Sequence, residues 1–192
     1  MEEQIPKVFC PSCGIMVDPF VMITGGEERI RCTECGLDLT KKEFKKKEMD
    51  RVLIADDSAI MRKQVSDFMA AGGIVKDIVE SENGRTFLSQ LSDLLKAHAA
   101  VDLIILDVNM PIINGIDAAR TVRALEAGLK LPRKIPILFF SIVKCDENFK
   151  KMMTLTKPSA YLNKGTSSDK EEFSRRLIDV IGRIRDSAEP SL

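Results

Sequence analysis

The chain has 192 residues, with 29 Lys+Arg against 29 Asp+Glu, one His and an apolar share of 44%. That length suits one ordinary domain plus a small module. Zero net charge excludes a basic nucleic-acid footprint over the whole chain, and the apolar share excludes a disordered one. The longest uncharged stretch, Val8 to Val17, is ten residues, short of the about 20 that a membrane helix needs. No basic-then-apolar leader precedes it, so a cytoplasmic protein without membrane contact is expected.

Charge and cysteine are unevenly spread. Residues 1–40 carry Lys7, Arg29 and Arg31 against seven acidic groups, whereas KKEFKKKEMDR (41–51) holds six basic and three acidic ones. The expected organisation is a Cys-rich module at 1–39 and a charged linker at 40–50, with a helix as one reading of it. A main domain at 51–186 and a tail at 187–192 follow.

In the head, Cys10-Pro-Ser-Cys13-Gly and Cys32-Thr-Glu-Cys35-Gly form two CxxCG corners separated by eighteen residues. This is the two-plus-two thiolate spacing of a structural Zn²⁺ site. Gly14 and Gly36 let each corner turn back, where backbone N–H groups can face the sulfurs. FVMIT (20–24) and ERIRC (28–32) flank Gly25-Gly26, a hairpin signal. Two knuckles joined by a hairpin resemble a zinc ribbon. Disulfides are the alternative, disfavoured without a secretion signal, and a redox pair lacks its strand-to-helix context. Four thiolates leave no open metal position, so the metal is structural. The acidic ribbon favours protein contact over nucleic acid.

From Val52 strand-like and helix-like segments alternate. VLIA (52–55), LIIL (103–106) and ILFF (137–140) are unbroken apolar runs, expected of parallel strands covered on both faces. IVKDIV (74–79) and AYLN (160–163) suit edge positions. Helical stripes follow: Met61, Val65, Phe68 and Met69 after an N-cap at Ser58; Phe87 to Leu95; Ile116 to Leu125, ended by Gly128; Asp146 to Leu155; and Phe173, Leu177, Ile181 and Ile184. Five β-α units predict an open, doubly wound α/β sheet.

Sites in such sheets form outside the carboxyl ends of the strands. Those ends carry Asp56-Asp57, Asp107, Ser141 and Lys164. Three carboxylates in one pocket repel, and a hard cation relieves this; Mg²⁺ accepts carboxylates while still coordinating phosphate oxygen. Asp107 can then attack phosphorus, with Lys164 and the Ser141 hydroxyl on the transferring phosphoryl.

These residues resemble the receiver domain of two-component response regulators, through DDS (56–58), LDVNMPIING (106–115), FFS (139–141) and YLNK (161–164). The resemblance implies a flavodoxin-like five-stranded parallel sheet of order 2-1-3-4-5. It makes Asp107 the phosphoacceptor, with Mg²⁺ held by Asp56, Asp57, Asp107 and the Asn109 backbone carbonyl. Ser141 and Lys164 sense the phosphoryl group, and Tyr161 is the switch aromatic. The sequence departs from the family at Gly165, where Pro is usual, and at bulky Ile142, where a small residue is usual. The connection at 128–134 is long and basic.

The resemblance further implies a sensor histidine kinase or phosphotransfer protein as donor. A downstream partner, a second copy or the ribbon itself would read the face made by helix four, strand five and helix five. No catalysis is expected beyond the chain's own phosphotransfer and dephosphorylation. A DNA-binding regulator using ribbon and linker and a receiver-like scaffold without phosphate are the rivals. An aspartate phosphatase would carry its nucleophile on strand one instead. His98 and Cys145 are expected to be a helix-end residue and a half-buried thiol.

Overall fold

The computed structural model describes residues 6–40, 48–142, 144–165 and 169–188. In the head, β1 (Val8–Cys10) pairs antiparallel with β2 (Ile15–Val17), and β3 (Pro19–Thr24) with β4 (Glu27–Cys32). Gly25 and Gly26 take φ of +61° and +82°, the two positive values that a tight type I′ hairpin turn demands. The linker residues 41–47 lie outside the described residues, and with them the expected neck helix.

The body alternates strand and helix: β5 (Met49–Ala55), α1 (Ala59–Ala71), β6 (Val75–Ser81), α2 (Gly84–Lys96) and β7 (Leu103–Asp107). It continues with α3 (Gly115–Gly128), β8 (Ile137–Ser141), α4 (Glu147–Leu155), β9 (Ser159–Asn163) and α5 (Lys170–Ala188). The five body strands are parallel in the order β6-β5-β7-β8-β9, the 2-1-3-4-5 arrangement that the motifs imply. β5 begins at Met49, inside the stretch expected to be linker.

Alternate strand residues feed two cores. Val52, Ile54, Leu103, Ile105, Leu138 and Phe140 pack with α1 and α5 on one side. Leu53, Ile104, Leu106, Ile137 and Phe139 pack with α2, α3 and α4 on the other. This double coverage explains the unbroken apolar runs. Helix starts are capped by Ser58, Asn83, Asn114 and Asp146, each accepting a backbone N–H two or three residues into its helix. α3 ends at Gly128 as expected, and the chain turns into the left-handed region two residues later, at Lys130 (φ 50°). His98 sits exposed at φ 53° just past α2, the helix-end role expected of it.

The ribbon is not a free appendage. Its four cysteines and Val17 join the same core cluster as Phe139, Phe149, Met153 and Tyr161, so it lies on the face made by α4, β9 and α5. Ser12, in the first knuckle, accepts from the Asn163 N–H at 2.9 Å through its carbonyl. Its hydroxyl donates to the Tyr161 carbonyl. Those two groups lie on the outer side of edge strand β9, where a sheet is otherwise left unpaired.

Gly115 opens α3 against the site loop. A Cβ there would stand 2.0 Å from the Asp107 carbonyl oxygen, whereas one at Gly128 meets nothing. Gly115→Ala is therefore expected to lose about 1–3 kcal/mol in urea unfolding. Gly128→Ala should be neutral or gain up to about 1 kcal/mol.

Candidate functional site

Because the strands are parallel, the residues that end β5, β7, β8 and β9 gather at one rim of the sheet. Asp56 is buried there. Its Oδ1 accepts from the Ser58 N–H at 2.9 Å, and its Oδ2 accepts from Lys164 Nζ at 2.6 Å. The same ammonium lies 3.1 Å from Asp107 Oδ1 and 5.0 Å from the centre of the Phe140 ring. Its side chain is only 8% exposed. Asp57 remains exposed, and the three carboxylates offer oxygens within 4.8 Å of one another.

The ammonium pairs with two of the three carboxylates, so net negative charge is left over at this rim. Burial pushes the Asp107 carboxyl above its ordinary range; Lys164 pulls it back and Asp56 adds repulsion. This donor set fits a hard divalent cation, with Asp56, Asp57 and Asp107 as the side chains able to hold it. The Asn109 backbone N–H also opposes that rise at Asp107.

Ser141 is buried at the end of β8, opposite Asn163 in register, and its carbonyl accepts from the Lys164 N–H at 3.0 Å. Tyr161 lies two residues before Asn163, buried beneath the ribbon. Its hydroxyl accepts from Asn163 Nδ2 at 2.6 Å, and its ring meets Phe149 edge-on at 5.7 Å. The site residues expected from the motifs therefore gather, except that Tyr161 faces the ribbon side. Gly165 follows Lys164 through a trans bond, and the amine still reaches both acids. Ile142 is exposed.

At the second site, Cys10, Cys13, Cys32 and Cys35 are all buried with free thiols. Cys10 and Cys35 sulfurs are 3.7 Å apart, and Cys13 and Cys32 sulfurs 3.9 Å. A tetrahedron with ~2.3 Å metal–sulfur bonds has edges of ~3.8 Å, so the four sulfurs fit a metal ion. A backbone N–H faces a sulfur at the first corner, as expected, while the Gly14 and Gly36 N–H groups make the turns. They donate to the carbonyls of Cys10 and Cys32 at 2.8 and 2.9 Å, closing each corner, and the Cys13 N–H faces the Cys10 sulfur at 3.5 Å. Cys145 is half-buried against this cluster, and burial pushes its thiol up to about 12.

Sequence reasoning missed the joint between the two modules. Arg176 is 2% exposed. Its Nε donates to the Pro11 carbonyl at 2.7 Å, and its Nη2 donates to the carbonyls of Ser12 and Asn163, each at 3.1 Å. A signal existed, because Arg176 stands three residues after Phe173 and four before Val180, within the inward stripe of α5.

A family model described as the response regulator receiver domain matches residues 52–172. The protein-glutamate methylesterase/protein-glutamine glutaminase of Bacillus subtilis (strain 168) is 31% identical over 138 residues, covering 68% of this chain and 35% of that protein. Chemotaxis protein CheY4 of Vibrio cholerae superposes with a TM-score of 0.54 at 27% identity, over 69% of this chain and 98% of that one. The response regulator domain of Thermotoga maritima CheB gives 0.58 at 21% identity, over 74% and 100%, a likeness of fold alone. The expectation that no enzyme activity extends beyond self-phosphotransfer is overturned. Several curated relatives carry an enzyme's name, although this chain spans only about a third of the Bacillus protein's length.

Burial of Asp107 sets a pH dependence. A carboxyl whose folded value is raised binds its proton more tightly in the folded state, so its ionisation costs stability as pH climbs above the ordinary 3.8. Without divalent cations, Asp107→Asn should match wild type in urea midpoint at pH well below that value. It should exceed wild type increasingly as pH rises, then hold a constant lead. The family match itself runs from within β5 into α5, through every strand end that carries these groups, and the chain belongs to the response regulator receiver domain family.

Proposed function

We propose that the chain is a two-component response regulator in which Asp107 accepts a phosphoryl group from the phosphohistidine of a sensor kinase or phosphotransfer protein. The observation that carries this reading is the Lys164 ammonium lying between Asp56 and Asp107 at 2.6 and 3.1 Å. An Asp107 oxygen forms the new bond to phosphorus as the donor's nitrogen–phosphorus bond breaks, and the imidazole nitrogen leaves with the electron pair. No base is required, since the carboxylate already carries its charge. The Lys164 ammonium moves onto a phosphoryl oxygen, and the Ser141 hydroxyl donates to another. Asp56, Asp57, Asp107 and the Asn109 carbonyl would hold Mg²⁺, which would neutralise charge at the phosphoryl oxygens. The part shared with the methylesterase relatives is this receiver.

We further infer that the four cysteines hold Zn²⁺, which supplies the small ribbon with folding energy of about 10–16 kcal/mol. A cytoplasmic location fits the donor chemistry, and no helix among the described residues is long and apolar enough to cross a membrane. The DNA-binding reading depends on Lys45–Lys47, outside the described residues, beside a ribbon that is itself acidic.

Offered an acyl phosphate and Mg²⁺, wild type is expected to gain a phosphate adduct by intact-protein mass spectrometry, and Asp107→Asn none. Adduct on neither protein would favour the scaffold reading. Protein purified without chelators should contain one zinc per chain by atomic emission. Stripping that zinc should abolish the protection of the ribbon's amides from exchange while leaving β7 protected.

A further inference from the structure

We propose that the cleft between the ribbon hairpin and the receiver is a binding site for a nucleoside di- or triphosphate. It lies at the opposite end of the sheet from the carboxylates and does not depend on the phosphoacceptor reading.

Ribbon and receiver share an apolar core around Phe149, Met153 and Tyr161. Beside that core, toward the N-terminal ends of β8 and β9, the two modules leave a cavity of about 830 Å³. Small-molecule sites run to about 300–1,000 Å³, so its size suits one. Six of its lining residues are Arg or Lys and two are Asp, in a chain of zero net charge. An excess of one sign in a concave place with low-dielectric walls draws in the opposite ion.

Three of these cations are free to take a ligand. Arg29 is held by Asp38 and Glu27, Lys150 by Glu147 and Arg183 by Asp179. Arg31, Lys134 and Lys157 enter no ion pair among the described residues. Arg31 donates through Nη1 to the Gly36 carbonyl at 3.1 Å, while its Nε is buried without a partner. A buried donor left unpaired destabilises, and an anion bound against this side chain would satisfy it.

The two lysines are presented from fixed backbone. β8 and β9 pair with Ile137 opposite Ser159, so the segments just before them, which carry Lys134 and Lys157, are neighbours. Arg123 of α3 pins both segments. Its guanidinium donates to the Ile135 carbonyl at 2.8 Å and to the Thr156 and Pro158 carbonyls at 2.9 and 3.3 Å. Glu126 in turn accepts from Arg123 at 2.6 Å and from the Ile135 N–H at 2.7 Å. Binding then has to order two exposed side chains and not the loops that carry them.

The ribbon wall adds a second chemistry. Phe20 stands opposite Arg31 and Met22 opposite Arg29 in the β3–β4 pairing, and all four line the cleft. Phe20 and Met22 remain 38% and 40% exposed. Nucleobases stack on aromatic rings and on guanidinium planes alike, whereas an inorganic anion would leave this apolar surface wet. Three unpaired cations exceed what a monophosphate needs and match a di- or triphosphate. Phosphates on Arg31, Lys134 and Lys157, with a base on Phe20 and Met22, account for both walls.

The test titrates the full-length protein, purified without chelators, with ATP and with GTP by calorimetry. Magnesium is omitted, so that no metal at the Asp56–Asp57–Asp107 rim recruits the phosphates. Saturable binding of at least one nucleotide is expected, with pyrophosphate and the matching nucleoside each weaker by about tenfold or more. Binding of neither nucleotide overturns the proposal. Pyrophosphate binding as tightly as the nucleotide overturns the base contact and the nucleotide assignment with it. Lys134→Gln and Lys157→Gln change exposed residues outside any ion pair, and each should weaken nucleotide binding about fivefold. Lys63→Gln removes the same charge from α1, which packs on β5 and β6 away from the cleft, and should leave the affinity unchanged. Equal losses in all three variants, or no loss in the two cleft variants, overturn the site.

Discussion

Three carboxylates and one ammonium share the rim of a parallel sheet, and their balance governs much of the molecule. The sheet brings them together for reasons unrelated to charge: apolar runs bury on both faces, and right-handed crossovers return every strand in the same direction. Once gathered, Asp107 is dry enough that burial opposes its ionisation, and a cation beside it offsets that. Lys164 meets that need from β9, its stem over the Phe140 ring. Anchoring the lysine fixes the end of β9, which in turn presents Asn163 and Tyr161 to the ribbon. Site and dock are thus consecutive consequences of one electrostatic demand.

Much of this could be read from the chain itself. Asp56, Asp107 and Ser141 each follow an unbroken apolar run that marks a buried strand, and Lys164 follows the edge run AYLN, so their meeting follows from topology. The Gly25-Gly26 turn and the cysteine corners were equally legible, because each depends only on neighbours in sequence. Arg176 was not. Its place in the inward stripe of α5 could be seen, but a buried cation needs acceptors, and these come from a knuckle at the opposite end of the chain. Ser12, between two metal-site cysteines, carries no local sign that it covers a sheet edge. Contacts between modules have no period, and so no pattern announces them.

The departures at Gly165 and Ile142 show how local rules give way to tertiary ones. The lysine reaches both acids across a trans bond, because its position is set by β9 and by the Lys164–Ser141 backbone bond. Ile142 stands exposed beyond the end of β8, away from the two cores. The family match covers 52–172 and leaves the ribbon outside it. The feature that distinguishes this chain from a bare receiver is therefore the one attached to the receiver's edge strand, β9.

That attachment has a bearing on solution behaviour. A small module with a four-cysteine site able to hold a metal is also the cover for the outermost strand. Chelation would thus do more than unravel a knuckle: it would strip the seal from a row of backbone donors and acceptors, beside newly wetted Tyr161 and Phe149. Such margins recruit other chains, so loss of the ion and self-association would arrive together.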